Sequence, residues 1–280
     1  MKIKDVKKLS SEEIFLYWIK ERESIRKLKK RGKPKPWTDD KILQTYKFCN
    51  VRRMDDRVSK WLLEHWYEPY YNHPNMLLAC TLARQLNNPE SLEEIGFPET
   101  WKPKTVKKLL DKRFERGLKN FSGAYMITGT LGGTKNHQII NIVADSIAKR
   151  GPNTYTETMQ ECWQSLLVFP GFSSFISGQV VSDLRWAIEV DWNDKTTWAP
   201  SGPGSKRGMN RLKGRDKDSP LKQEKFLEEF SSVLDLVKKK LPKIFKRLEA
   251  IDVQNCLCEF DKYSRTLLGE GRPRSKYQGV

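Results

Sequence analysis

"LLVFPGFSSFISGQVVSDLR", residues 166–185, decides the fold class. Apolar residues recur at helical spacing on both sides of a short break, "PGFSS". Pro170 lacks an amide hydrogen and Gly171 accepts left-handed backbone angles, so the stretch reads as helix, tight turn, helix. The same 3.6-residue period extends outward through most of the chain. "YTETMQECWQSLLVF" is the upstream helix of the pair. Ser10 and Glu13 form a capping-box signature before "EEIFLYWIKERESIRKLKK". "RGKPKPWT" then interrupts, and Thr38 is placed to cap a helix running toward Cys49. "NHPNMLLACTLARQLNNPE" reads as a Pro-started helix ending at the Asn pair, and "KPKTVKKLLDKRFERGL" as a basic helix closing at Gly117. "QIINIVADSIAKRG" and "LKQEKFLEEFSSVLDLVKKK" add two more. No sustained strand alternation and no internal repeat is present. The expected fold is all-α.

Composition narrows the partners. The chain has 280 residues, 38% hydrophobic and 31% charged, with a net charge of +17. That excess of Lys and Arg points to a polyanion, nucleic acid before membrane. No apolar run long enough to span a bilayer and no signal-peptide core is visible, so a soluble, cytoplasmic protein without membrane attachment is expected. The five cysteines are odd in number and irregularly spaced, and only three histidines are present. A structural zinc is not expected, and reduced thiols are.

Several stretches carry potential chemistry. "FCNVRRMDDRVSKWL", residues 48–62, sets five charged side chains into six positions. On a continuous helix, Arg53, Asp56, Arg57 and Lys60 share one face, while Val58, Trp61, Leu62 and Trp66 share the other. Such a face is either a solvated surface or a site. "GTLGGTKNH" lacks the G-x-x-x-x-G-K-[ST] spacing, because Thr134 precedes Lys135 and Asn136 follows it, which argues against a nucleotide kinase. A glycine turn opening a helix still offers amides to an anion, with Lys135 and His137 beside it. "WAPSGPGSKRGMNRLKGR" joins a Gly/Pro loop to a basic helix start. There the Ser205 amide with Lys206, Arg207 and Arg211 suits a phosphate clamp. The terminal "CEFDKYSRTLLGEGRPRSKY" is dense in aromatic and charged residues, so docking on the core is expected in place of fraying.

The 166–185 stretch resembles the helix-hairpin-helix of DNA-repair glycosylases, in which hairpin amides grip a DNA phosphate without sequence readout. Gly171 and Ser173 are then the DNA contacts, with Ser173 where a second glycine is usual. Phe175 stands near the place of the lyase lysine, so Schiff-base chemistry is not expected. Four pieces together, "FCNVRRMDDRVSKWL", "PGFSSFISGQVVSDLR", "GPGSKRGMNRLKG" and "CEFDKYSRTLLGEGRPRS", resemble a family of bacteriophage thymidine hypermodification. Its members are the helical, DNA-glycosylase-like α-glutamyl/putrescinyl thymine pyrophosphorylases, or amino acid:DNA transferases. A related helical domain accompanies 5-hydroxymethyluracil DNA kinases. The resemblance spans residues 40 to 276. The resemblance therefore implies a basic N-terminal helix and linker over 1–37 and one glycosylase-like helical domain over 38–280, including a docked C-terminal motif.

The resemblance implies a transferase that replaces pyrophosphate on pyrophosphorylated 5-hydroxymethyluracil in double-stranded DNA with an amino acid or polyamine. Cations must stabilise the departing pyrophosphate and a carboxylate must take the amine proton. Arg53, Asp56 and Arg57 are the candidates on the first piece, with Asp183 as the favoured carboxylate. Asp191 or Asp194 fits the glycosylase separation better, and Asp183 could instead pair with Arg185 or Lys206. Asn50 is expected at a base edge or as a cap. Asp261, Lys262, Glu270, Arg272 and Arg274 match the family motif, and they join Asn50 and Lys135 as substrate-binding candidates. Magnesium could serve as a pyrophosphate counter-ion, although no ligand spacing demands it. Two other functions compete: a monofunctional glycosylase acting on a modified thymine, and a non-catalytic DNA-binding partner of a 5-hydroxymethyluracil DNA kinase.

Overall fold

The computed structural model describes residues 3–122, 131–150 and 156–277. Among them every regular element is helical, and strand-like pairing is limited to one bridge, Tyr46 with Lys276. The chain divides into two compact units, Met1–Asp56 with Lys195–Val280, and Arg57–Asp194.

The first unit is organised around the Ala250–Leu267 helix, whose Ala250, Val253, Cys256, Leu257, Phe260 and Tyr263 are all buried. The Ser11–Lys30 helix packs on it through an edge-to-face contact of Phe15 with Phe260, ring centres 5.4 Å apart. This helix begins where its sequence says. The Ser10 amide donates to Glu13, and the Ser10 hydroxyl accepts from the Glu13 amide. The sequence reading sets it apart with its flanking linker as residues 1–37, whereas in the structure it forms part of this unit's core. The next helix, Lys41–Thr45, is capped by Asp40 and not by Thr38, whose hydroxyl accepts from the Asp40 amide at 3.0 Å. Asp40 is fully buried because it also accepts from Tyr17 and Tyr263.

Glycines in the basic loop serve packing. The Pro203–Leu212 helix crosses Ala250–Leu267 so closely that a Cβ on Gly208 would lie 2.2 Å from the Leu257 carbonyl oxygen. One on Gly204 would lie 3.2 Å from the Cys258 Cβ. The C-terminal segment docks as its composition suggests. The Lys47 amide donates to the Ser275 carbonyl and the Tyr277 amide to the Thr45 carbonyl, both at 3.0 Å. Lys29 then lies over the rings of both Trp37 and Tyr277.

The second unit is built on the Met76–Leu86 helix, buried along its whole length, against Ser174–Ala187. The former ends at Asn87 in a left-handed conformation, and Pro103–Glu115 is followed by Gly117 at φ +74. The helix–turn–helix expected at 166–185 is present, with helices Met159–Leu166 and Ser174–Ala187. Gly171 sits at φ +77 with Val143 where its Cβ would be, so the turn demands glycine twice over. Ser173 caps the second helix by accepting from the Ile176 amide.

The single charged face expected at 53–60 does not form. Arg53–Asp55 is one 3₁₀ turn, Asp56 is extended at ψ 143, and a new helix starts with Arg57–Leu62. The break falls where the first unit ends and the second begins, and it cancels the helical phase. Replacing Gly208 by Ala forces the Leu257 backbone to move and is expected to cost about 3 kcal/mol. Gly271→Ala, in open space, should be neutral. Thermal unfolding of the two variants separates the outcomes.

Candidate active site

The first unit gathers two of the quoted stretches into one polar nest. Residues 48–56 have only the 3₁₀ turn Arg53–Asp55 of their own to satisfy their backbone, and the Ala250–Leu267 helix supplies further partners. Glu259 accepts from the Cys49 amide at 2.9 Å, and Asp252 from the Arg53 amide at 2.8 Å. From the other side, Arg22 donates to the carbonyls of Cys49 and Phe48 at 3.0 and 3.3 Å. Within the loop Asp56 accepts from both the amide and the side chain of Asn50, at 2.8 and 3.0 Å. Asn50 is therefore a loop clasp, and its second side-chain bond goes to the Asp55 carbonyl.

The electrostatics single out Asp56. Burial pushes its carboxyl up to about 6, against the pull of the Asn50 amide, Arg22 and Arg53, while Glu259 adds to the rise. A carboxylate poised near neutrality suits proton transfer. Arg53 is only 6% exposed. Arg22 is buried too, and its Nη1 has no hydrogen-bond partner. Lys262 bonds to Glu259 at 2.9 Å and sits 4.8 Å from the Phe48 ring centre. Burial opposes the charge of Lys262, but Glu259 prevails and its pKa is raised. Burial also lifts the Cys49 thiol, and Glu259 and Asp56 add to it, so that thiol stays protonated. The nest thus offers a titratable carboxylate, two buried guanidiniums and one ammonium.

Arg22 was missed because it lies in the segment set apart as residues 1–37. A signal was available: Phe15, Trp18, Ile19 and Arg22 share one stripe of the Ser11–Lys30 helix, and an arginine in a core stripe needs a buried partner. Asp252 was missed for a similar reason, as a lone acid among apolar helix positions.

The remaining candidates fall elsewhere. Asp261, 1% exposed, is held by Arg207 and Arg211, each at 3.0 Å, and Arg211 also pairs with Glu270. The expected phosphate clamp is thereby corrected. Two of its cations are neutralised by carboxylates, and Ser205 is fully buried, its hydroxyl engaged by the Gly202 amide and by Gln254. Lys206, half-buried, keeps its ammonium free of carboxylates. Arg272 and Arg274 are exposed on the docked C-terminal segment.

Arg57, Lys135, Gly171, Ser173 and Asp183 belong to the second unit. Arg57 is exposed at the start of its helix. Lys135 lies 4.0 Å from the Phe121 ring centre, with its pKa lowered by burial. The first residues of the glycine-rich stretch, Gly129 and Thr130, lie outside the described residues. Among the described residues the amides of Gly171 and Ser173 find no acceptor, which leaves both available at the turn. Asp183 is fully enclosed. Its oxygens accept from Arg84 at 2.5 Å each and from Tyr67 at 2.6 Å, so no oxygen is open to an incoming amine. Asp194 caps the Met159–Leu166 helix by accepting from the amides of Met159 and Gln160, and Asp191 is exposed.

The charge is unevenly divided. The second unit holds fifteen basic and fifteen acidic residues, whereas the first holds 37 basic and 20 acidic and so carries the entire +17. No described helix is long and apolar enough to cross a membrane.

Two measurements test these assignments. Arg84→Met strands a buried carboxylate, so urea unfolding should show a loss of about 3–5 kcal/mol. For Asp56 the folded chain keeps a proton that the unfolded chain, near 3.8, has already released. Its stabilising contribution is complete below the unfolded value and is lost as pH rises through about 6. Urea unfolding of wild type and Asp56→Asn should therefore show the wild type losing ground between pH 4 and 6, with a constant difference above about pH 7.

Comparison with known proteins matches the residues that build this nest. Residues 10–272 match the family described as "5-hmdU DNA kinase, helical domain". The match begins at residue 10 and takes in the Ser11–Lys30 helix, which the earlier span of 40 to 276 left out. A "5-hmdU DNA kinase" of Bacillus phage SP10 is 28% identical over 205 residues, covering 64% of this chain and 32% of that protein. The chain thus spans about a third of the length of the curated relative it matches. No solved structure matches. With nearly its whole length matched, the chain belongs to the family of the 5-hmdU DNA kinase helical domain.

Proposed function

We propose that the chain acts in the modification of 5-hydroxymethyluracil in DNA, as a transferase that replaces pyrophosphate on the pyrophosphorylated base with an amine. The observation that carries this reading is the nest of Asp56, Asn50, Arg53 and Arg22, with Asp56 poised near neutrality. It lies in the unit that bears all of the net positive charge. The name of the phage relative supports the modified base as substrate. The chain itself has no G-x-x-x-x-G-K-[ST] sequence to cradle a nucleotide, which favours a partner of kinase chemistry over the kinase.

In this mechanism the amine nitrogen forms a bond to the exocyclic methylene carbon while the bond from that carbon to the pyrophosphate oxygen breaks. The ionised Asp56 takes the proton lost from nitrogen. Arg53 and the unpartnered Nη1 of Arg22 stabilise the departing charge in a site where protein replaces water. Lys262 and Glu259 hold the loop, and Lys262 adds a cation at its side. Arg57 follows Asp56 directly in the chain, and its free guanidinium is available to a DNA phosphate. The carboxylates of the nest are engaged by amides and Lys262. Among the described residues no group of three or more His, Cys, Asp or Glu side chains could hold a metal, and a magnesium ion would be carried by the pyrophosphate itself as its counter-ion.

The helical hairpin of the second unit supports a glycosylase-like grip on DNA, through the open amides of Gly171 and Ser173. In the basic unit, Lys206, Arg272 and Arg274 are candidates for DNA phosphate contacts of their own. A second reading draws on the family itself. As the helical domain of a larger kinase, the module would position DNA for a partner and carry no chemistry.

Nucleoside mass spectrometry separates the two. With DNA containing pyrophosphorylated hydroxymethyluracil and a pool of amino acids and polyamines, the transferase yields an adducted nucleoside and free pyrophosphate. Arg53→Ala and Asp56→Asn should each lower product formation at least about 100-fold while DNA binding changes little. An unmodified digest despite tight DNA binding would leave the positioning role. Free modified base with abasic DNA would establish a glycosylase.

A further inference from the structure

The end of the Ser11–Lys30 helix and the linker after it take no part in the site above. Seven of the ten residues 26–35 are basic and none is acidic. Arg26 and Lys27 turn back to Glu23. Among the described residues, Lys29, Lys30, Arg31 and Lys33 pair with no carboxylate, and the last three are exposed. Between residues 26 and 48 the sequence has nine bases and two acids, Asp39 and Asp40. Asp40 is buried against Tyr17 and Tyr263, which leaves Asp39 as the single exposed carboxylate. Cations crowded in this way repel one another until a polyanion joins them.

A cavity opens beside these cations. Its volume is about 210 Å³, and Ile25, Pro36, Trp37 and Leu43 give it apolar walls. Lys35 lines it too, and no carboxylate does. A cavity of roughly 150 Å³ already holds a benzene ring, so one flat ring of pyrimidine size fits here.

Aromatic side chains are fixed at the same place. Trp37 is half-buried, and its indole donates to the Lys33 carbonyl at 2.6 Å. Lys29 lies 4.5 Å from the Trp37 ring centre and 4.4 Å from that of Tyr277. Its ammonium also donates to the Tyr277 hydroxyl at 3.1 Å. Lys35 lies 5.6 and 5.9 Å from the same two rings. Two rings and two ammoniums are thus gathered together, and backbone pairing of the C-terminal segment with Thr45 and Lys47 holds Tyr277 there.

That combination selects a ligand. Ammoniums suit phosphates, an apolar cavity with an indole wall suits the face of a base, and neither reads sequence. In a duplex each base is covered on both faces by its neighbours, so only an unpaired base enters such a cavity. An acidic peptide would use the lysines and leave the cavity empty. Arg22 of the nest and Lys29 are seven residues apart on one helix. They therefore lie on the same side of it, two turns or about 10 Å apart along the axis.

We propose that the Trp37 cavity receives one unpaired base of single-stranded DNA, with Lys29, Lys30, Arg31 and Lys33 on the phosphates flanking it. The site goes beyond the transferase reading and does not depend on it, because unmodified DNA suffices.

Fluorescence anisotropy of the full chain with a labelled, unmodified oligo(dT), and with a duplex of equal length, tests the site. Trp37→Leu should weaken oligo(dT) binding at least about fivefold and leave duplex binding within about twofold. Lys30→Gln combined with Arg31→Gln should lower the slope of log Kd against log salt for oligo(dT) by about one. An irradiated oligonucleotide carrying 5-iodouracil should attach to the peptide holding Trp37 or Tyr277, a readout that needs no variant. Equal losses for strand and duplex in Trp37→Leu, an unchanged affinity for oligo(dT), or cross-links confined to other peptides overturn the proposal. Poly-glutamate bound as tightly as oligo(dT) would also overturn it, in favour of a surface for acidic peptides.

Discussion

Three buried carboxylates on one helix hold the first unit together. Asp252, Glu259 and Asp261 sit at intervals along Ala250–Leu267, and each takes partners from a different part of the chain. Asp252 binds the Arg53 amide, Glu259 the Cys49 amide and Lys262, and Asp261 the guanidiniums of Arg207 and Arg211. A carboxyl group inside a protein is tolerated only when paired or hydrogen-bonded, so these contacts are obligatory. The helix thereby imposes a shape on residues 48–56, which have no regular structure of their own beyond one 3₁₀ turn. The catalytic proposal depends on that imposed shape, because it brings Asn50, Arg53 and Asp56 against Arg22.

The same constraint explains why arginines that read as a phosphate clamp do not form one. Arg207 and Arg211 lie on a helix that approaches Ala250–Leu267 to within backbone contact at Gly208. At that distance their side chains reach Asp261 and Glu270 before any external anion. The glycines and prolines around them make the close crossing possible. Cations left for a polyanion are those that the fold does not consume, such as Lys206 and Arg272. Charge is also unevenly divided between the two units. One unit carries the whole positive excess, and the other is neutral overall. A basic body suits a polyanion such as a DNA backbone.

Local patterns were legible wherever a helix could be recognised from its own residues. The Ser10/Glu13 capping box, the Asn87 terminus, Gly117 and the turn at Gly171 all appear where periodicity and punctuation place them, because each depends on contacts within a few residues. The family resemblance grouped "FCNVRRMDDRVSKWL" and "CEFDKYSRTLLGEGRPRS" among its four pieces, and in the fold these two meet through Cys49 and Glu259. The failures share a cause. Treating residues 53–60 as one helix assumed that periodicity continued, but capture of the Arg53 amide by Asp252 and the extended Asp56 interrupt it.

By itself, then, the sequence determined the all-helical class, the helix ends at Ser10, Asn87 and Gly117 and the strong basic charge, since these follow from short-range backbone chemistry and from counting. Only the tertiary structure decided which charges are free to act. It enclosed Asp183 between Arg84 and Tyr67, neutralised Arg207 and Arg211 with Asp261 and Glu270, and placed Arg22 beside the loop of Asp56. Whether a carboxylate is a base or a strut depends on burial and on the partner opposite, and both are set by residues distant in the chain.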